Sequence, residues 1–256
     1  MTTLTLLTKT SSDFQLKQVS KALRHLLQGL KVEAKVQGTV AGGWVQIDLS
    51  GEDEGVATNY LIEEIGLCPT GFGSVRKFSM LKGYIRSIEA NAGELLVDLG
   101  VFQPKIVYAS LGLRRLRAQL VEGKEIDLRR VAELFVFCEG LPVNVKVTNV
   151  KTEESRIEAE LASKQVGMYM AWRDSLLDRL LVMGSSLREV EVALQKAKLE
   201  RDVIDVEPLG LLEHALTCKL GTDAAGLIPK IGRKLKNSRF AVFNPKTLRA
   251  FLKAEN

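Results

Sequence analysis

Met80-Leu81-Lys82-Gly83-Tyr84-Ile85-Arg86-Ser87-Ile88, then Asn91-Ala92-Gly93, then Glu94-Leu95-Leu96-Val97-Asp98-Leu99-Gly100-Val101 stand close together in the middle of the chain. Two β-rich runs joined by a turn that contains Asn and Gly read as a hairpin. Further on, Gly140-Leu141-Pro142-Val143-Asn144-Val145-Lys146-Val147 alternates apolar with polar residues, and Arg156-Ile157-Glu158-Ala159-Glu160-Leu161 does the same. Period-two alternation buries one face of a strand and wets the other. With a further strand expected over 102–108, residues 76–163 read as a small closed β-barrel.

The flanks are attachments to it. A strand over 3–8, a helix to about 28 capped by Ser11-Ser12-Asp13, strands over 31–37 and 44–49 and a helix over 56–65 make a β-α-β-β-α domain, 1–75. Its helix shows Leu16, Val19, Leu23 and Leu26 at helical spacing, and the Pro/Gly-rich stretch 68–74 marks its end. Inside the barrel, helices expected over 111–120 and 127–137 carry arginines interleaved with Glu122, Glu125, Asp127 and Glu133, the pattern of a solvated surface. After the barrel, Met168, Trp172, Leu176, Leu180 and Met183 recur down one side of a helix over 164–183, as a core stripe would. Ser186-Leu187-Arg188-Glu189 is a capping box, so 164–200 reads as a helical hairpin. Strands over 203–206, 211–218 and 239–243, with helices from Thr222-Asp223 and after Asn244-Pro245, make a second α/β domain, 201–256. The expected class is α+β and multidomain. No internal repeat stands out along the chain.

With 256 residues, 46% of them hydrophobic, the chain is long enough for several modules. It shows no apolar run of membrane-spanning length and no leader-like start, so a cytoplasmic location is expected. Cys68, Cys138 and Cys218 are scattered and odd in number, which argues against a disulfide framework or a metal knuckle. The net charge is +5, but nine basic residues stand between Lys219 and Lys253 against the single acid Asp223. Such asymmetry points to a polyanionic partner.

Catalytic motifs are weak. Gly221-Thr222-Asp223-Ala224-Ala225-Gly226 has phosphate-loop glycine spacing, but Leu227-Ile228 stands where Lys-Ser/Thr would hold phosphate and magnesium, so a helix cap is the simpler reading. His25 and His214 lie in unrelated apolar segments and read as structural. Glu52-Asp53-Glu54, between two glycines, reads as an acidic loop. No cofactor, metal, small-molecule substrate or membrane partner is indicated.

Two resemblances add to this. The glycine in the first barrel strand, Val97-Asp98-Leu99-Gly100 in the second, and the Gly140 to Val147 strand resemble the S1-type OB domains of translation and RNA-processing proteins. Leu96 and Val97 stand where that pattern often has an aromatic. The segments Trp172-Arg173-Asp174-Ser175-Leu176-Leu177-Asp178-Arg179-Leu180, Glu200-Arg201-Asp202-Val203-Ile204-Asp205-Val206 and Cys218-Lys219-Leu220-Gly221-Thr222-Asp223-Ala224-Ala225-Gly226-Leu227-Ile228-Pro229 resemble an uncharacterised family of conserved archaeal proteins, which implies an archaeal cytoplasmic origin and transfers no site residue. In architecture alone, the barrel, helical segment and α/β domain are similar to the α subunit of the archaeal initiation factor that delivers initiator tRNA.

The expected activity is therefore non-catalytic RNA binding in translation or RNA processing, with RNA or the ribosome as partner. The alternative is a protein-interaction adaptor on a transcription or ribosome-assembly complex. The denser candidate contacts are Lys219, Lys230, Arg233, Lys234, Lys236 and Arg239, which would touch phosphates. The barrel would add Tyr84 as a stacking surface beside Lys82, Arg86 and Lys105.

Overall fold

In the computed structural model, which describes residues 1–253, the first unit runs β1 (Thr2–Lys9), α1 (Asp13–Leu26), β2 (Val32–Val40), β3 (Trp44–Gly51) and α2 (Glu54–Glu64). β3 lies between β1 and β2 and pairs antiparallel with both. Its inward residues Val45, Ile47 and Leu49 pack with Val19 and Leu23 of α1 and Ala57 and Leu61 of α2. Ser12 caps α1 by accepting a hydrogen bond from the Gln15 N–H.

A short β4 (Thr70–Gly71) leads into the barrel, which is built from β5 (Met80–Glu89), β6 (Glu94–Gln103), β7 (Val107–Gly112), β8 (Pro142–Lys151) and β9 (Arg156–Leu161). The ring closes in the order β5-β6-β7-β9-β8, antiparallel everywhere except between β7 and β9. That is the OB arrangement. Between β7 and β8 lie α3 (Leu113–Leu120) and α4 (Leu128–Phe135). The valines that alternate in β8, Val143, Val145 and Val147, are fully buried. Gly83 stands where β5 crosses β6: a Cβ there would lie 2.5 Å from the Asp98 carbonyl oxygen. The strand expected over 102–108 divides, because Phe102 and Gln103 finish β6 and a turn precedes Val107.

The last third corrects the expectation of a helical hairpin. α5 (Ser163–Ser175) stops where Leu176 turns left-handed, and residues 179–183 form a fully buried strand, β10 (Arg179–Met183). It is followed by α6 (Leu187–Ala197), β11 (Val203–Pro208), β12 (Glu213–Cys218), α7 (Ala224–Ile231), β13 (Arg239–Phe243) and α8 (Pro245–Lys253). The sheet order is β11-β12-β10-β13, all antiparallel. β10 has an apolar core on each side: Leu180 and Val182 pack with α6 and α7, while Leu181 and Met183 join the core of the barrel. A strand buried on both faces loses its period-two signature and reads as a continuation of a helical stripe. Ser186 does sit at the N-cap of α6, but its side chain makes no cap hydrogen bond.

The two terminal units are built alike. Each runs strand, Ser-Ser corner, helix, strand, strand, helix, with the third strand between the first and second: β1-β3-β2 in one and β10-β12-β11 in the other. The carboxy-terminal unit adds β13 to complete a β-α-β-β-α-β sheet. Repetition hidden in the sequence is thus present in the topology.

Candidate nucleic-acid interface

All three units meet at one buried junction. Asp98 of β6, 2% exposed, accepts hydrogen bonds from Lys9 Nζ at 2.7 Å, Trp44 Nε1 at 3.3 Å and the Gly100 N–H at 2.9 Å. The Tyr84 hydroxyl of β5 donates to the Glu213 carboxyl of β12 at 3.0 Å. Leu212, just before β12, enters the core of the first unit, and its carbonyl accepts from the N–H groups of Gly184 and Ser185. Gln18 of α1 accepts from the Ser186 N–H at 2.7 Å. Gly184 (φ +97°) makes this close approach possible, because a Cβ there would fall 2.5 Å from Gln15 Nε2 and 3.3 Å from the Asn237 carbonyl oxygen.

These contacts hold α1 beside α6 and leave between them an open cleft of about 1540 Å³. On α1, Phe14, Gln18, Lys21, Ala22 and His25 line it, a stripe at helical spacing. Arg188, Val192 and Lys196, spaced by four residues, line it from α6. Arg233, Lys234 and Lys236, on the turn after α7, close one end, and His214 and Leu211 contribute to the wall. With Arg24, seven lysines and arginines line the cleft against three carboxylates, Glu64, Glu189 and Glu191. Opposed cationic walls focus a positive field into the gap between them.

The expected contacts divide accordingly. Arg233, Lys234 and Lys236 come together in the cleft. Lys219 is exposed just past β12, at the end of that strand away from His214, and Lys230 is exposed on α7. Arg239 is exposed and lies across Gly140 at the edge of the barrel. In the barrel, Tyr84 is 1% exposed and packs edge-on to Trp44, so it offers no open face for a base. Burial also pushes the Lys82 ammonium below its ordinary pKa. Arg86 is ion-paired with Glu139, and Lys105 is exposed on the turn between β6 and β7. The cations of α1 and α6, and both histidines, were not singled out as contacts from the sequence. Their only local sign is the Phe14, Gln18, Lys21, His25 spacing on an otherwise core-facing helix.

The other sequence candidates fill structural roles. Asp223 caps α7 by accepting from the Ala225 N–H. Asp53 accepts from the Lys31 N–H, and Glu52 pairs with Lys31. Trp172 is buried and donates to Glu207. Among the described residues, no group of three or more His, Cys, Asp or Glu side chains is placed to hold a metal, and no helix is long and apolar enough to cross a membrane.

Two adjacent buried groups titrate in opposite directions. Burial raises Glu213 from 4.5 to about 7, and burial lowers His214 from 6.5 to about 4. The protonated Glu213 therefore stabilises the fold fully below pH 4.5, and this contribution is lost as pH rises towards 7. The neutral His214 stabilises it above pH 6.5, and this is lost as pH falls towards 4. Over the shared range the two cancel in part. Glu213→Gln is expected to remove the first contribution, so that the difference in unfolding free energy between wild type and variant changes by about 3 kcal/mol from pH 4.5 to 8, in favour of the wild type at low pH. Urea titrations of both proteins across this range check it. A difference independent of pH would place the proton elsewhere.

Profiles for three consecutive domains span nearly the whole chain: the DUF2110 N-terminal domain over 5–70, the DUF2110 central domain over 76–173 and the DUF2110 C-terminal domain over 177–243. The chain belongs to the DUF2110 family. In DUF2110 terms the cleft lies between the N-terminal and C-terminal domains, and the break between the central and C-terminal matches falls where α5 gives way to β10. No curated protein matches the DUF2110 chain. Similar solved structures include a protein of vaccinia virus (Wisconsin strain), at 18% identity and TM-score 0.23 over 34% of this chain and 89% of that one. A second is the a/eIF2alpha-aDim2p-rRNA complex of Pyrococcus horikoshii, at 12% identity and TM-score 0.26 over 48% of this chain and 64% of that one. A third is the intact alpha subunit of aIF2 from Pyrococcus abyssi, at 12% identity and TM-score 0.25 over 66% and 97%.

Proposed function

We propose that this protein is a non-catalytic RNA-binding protein of the translation or RNA-processing machinery, gripping the RNA backbone in the cleft between its terminal units. The observation that carries the reading is the convergence of seven cationic side chains from α1, α6 and the 233–236 turn onto one open cleft. A strand lying there meets positive charge on both sides, whereas a cationic helix end on a flat surface meets it on one. The OB barrel is the scaffold to which both walls are docked.

Affinity for single-stranded RNA is expected to fall steeply with salt. Arg233→Glu combined with Lys234→Glu is expected to weaken it at least tenfold whatever the base sequence, and to reduce the slope of log K against log salt by about 1–2. Fluorescence anisotropy over a salt series measures both. Absent or salt-insensitive binding removes the reading.

The adaptor reading has one observation in its favour. Phe78 and Met80, at the start of β5, are 63% and 60% exposed, an apolar pair on the rim of the barrel. Partners that survive nuclease treatment in an affinity purification, and are lost with Phe78→Ser and Met80→Ser, would support it.

A further inference from the structure

Two buried polar side chains that the backbone grip does not use line the cleft. Gln18 is 3% exposed; its Oε1 is taken by the Ser186 N–H, and its Nε2 has no partner among the described residues. His214 is 2% exposed, and its Nε2 lies 2.9 Å from the Ser185 carbonyl oxygen. A carbonyl only accepts, so Nε2 carries the proton and Nδ1 is left as a bare lone pair. Nδ1 too has no partner among the described residues. Burial holds the ring neutral at physiological pH, so this tautomer persists. Both side chains line the cleft, while their unpartnered atoms, one donor and one acceptor, are shielded from solvent. Buried polar groups left this way destabilise a fold, and so call for an explanation in function.

One helical turn before Gln18, Phe14 lines the same cleft and is 43% exposed, and the exposed Leu187 and Val192 face the gap from α6. A planar group with a donor and an acceptor on one edge and apolar faces, attached to a phosphate, matches this set. An aliphatic anion would leave Phe14 and these two side chains idle. From these observations we infer that the cleft takes an unpaired RNA base, stacked on Phe14, whose edge engages Gln18 Nε2 and His214 Nδ1 when binding opens the wall that shields them. This rests on the RNA-binding reading and adds base preference to it. Unstacked bases read on their edges beside aromatic side chains are the usual route to sequence preference in single-stranded RNA.

The test uses the full chain with short homopolymers of each of the four bases, followed by anisotropy, and ¹⁵N NMR of the imidazole. The expected result is a preference of at least tenfold for one base and movement of the His214 Nδ1 resonance on binding it. Phe14→Ala is expected to weaken the preferred oligomer about tenfold while leaving the salt slope unchanged. Phe14 is exposed, so this variant is expected to fold. Gln18→Glu keeps the acceptor for Ser186 but turns the free donor into an acceptor, and is expected to change which base is preferred. Equal, salt-dependent binding of all four oligomers, unaffected by Phe14→Ala, overturns base recognition and leaves the backbone grip standing. No binding to any oligomer at low salt overturns both. An oligoglutamate peptide that binds as tightly as RNA and displaces it overturns the base in favour of an acidic protein segment.

Discussion

Asp98→Ala is expected to lower the unfolding free energy by about 3–5 kcal/mol, because it leaves a cation and two N–H groups without their shared acceptor in the junction between the first unit and the barrel. The Lys9 side chain is 20% exposed, so water relieves part of its loss, and this draws the expectation towards the lower figure. Trp44 is fully buried and the Gly100 N–H lies in the same interior, so neither has that relief. Asp98→Asn keeps an acceptor but not the charge, and is expected to cost about half as much. Urea unfolding followed through tryptophan fluorescence measures both. A loss below about 1 kcal/mol for the alanine would mean that the junction rehydrates freely and does not hold the first unit in place. The same variant is expected to weaken RNA binding without altering any cleft residue, since α1 is positioned through this docking.

Gly83→Ala is the second large effect. A Cβ at 83 would lie 2.5 Å from the Asp98 carbonyl oxygen, 2.7 Å from Leu99 and 2.8 Å from Val97. The first of these is backbone in a paired strand and cannot swing aside, so the barrel must spread where β5 crosses β6. Overpacking of this kind costs about 1–3 kcal/mol when side chains can adjust, and a backbone collision places Gly83→Ala at about 3 kcal/mol or beyond. Gly167→Ala is the control: Gly167 lies in α5 with nothing within 4 Å of an added Cβ. There the substitution is expected to stabilise by about 0.5–1 kcal/mol through helix propensity. Opposite signs in thermal or urea unfolding confirm that space, and not composition, sets the outcome. Equal and small effects would mean that the β5–β6 crossing is loose.

Much of the fold was legible because its signals are local. The Val143, Val145, Val147 alternation, the turn at Asn91 to Gly93 and the Ser12 cap each declare an element within a few residues, and each element formed where it was expected. β10 was misread because Leu180 to Met183 is apolar throughout, with alternate residues serving different cores. Tyr84 looked like a stacking surface because strand alternation says which residues share a face but not whether another domain covers it. It is covered here by the docking that joins it to Glu213.

By itself, the amino-acid sequence determined four of the five barrel strands, the β-α-β-β-α order of the first unit and the concentration of positive charge after Lys219. All of these follow from periodicity or composition over short windows. Only the tertiary structure decided that the two terminal units share a topology, and that three of the expected cations face α1 and α6 across a cleft. It also decided that Gln18 and His214 both line that cleft. The physical reason is distance along the chain. The cleft depends on contacts such as Gln18 to Ser186, 168 residues apart, and a pairing of that range is chosen by the packing of whole units, which no local pattern encodes.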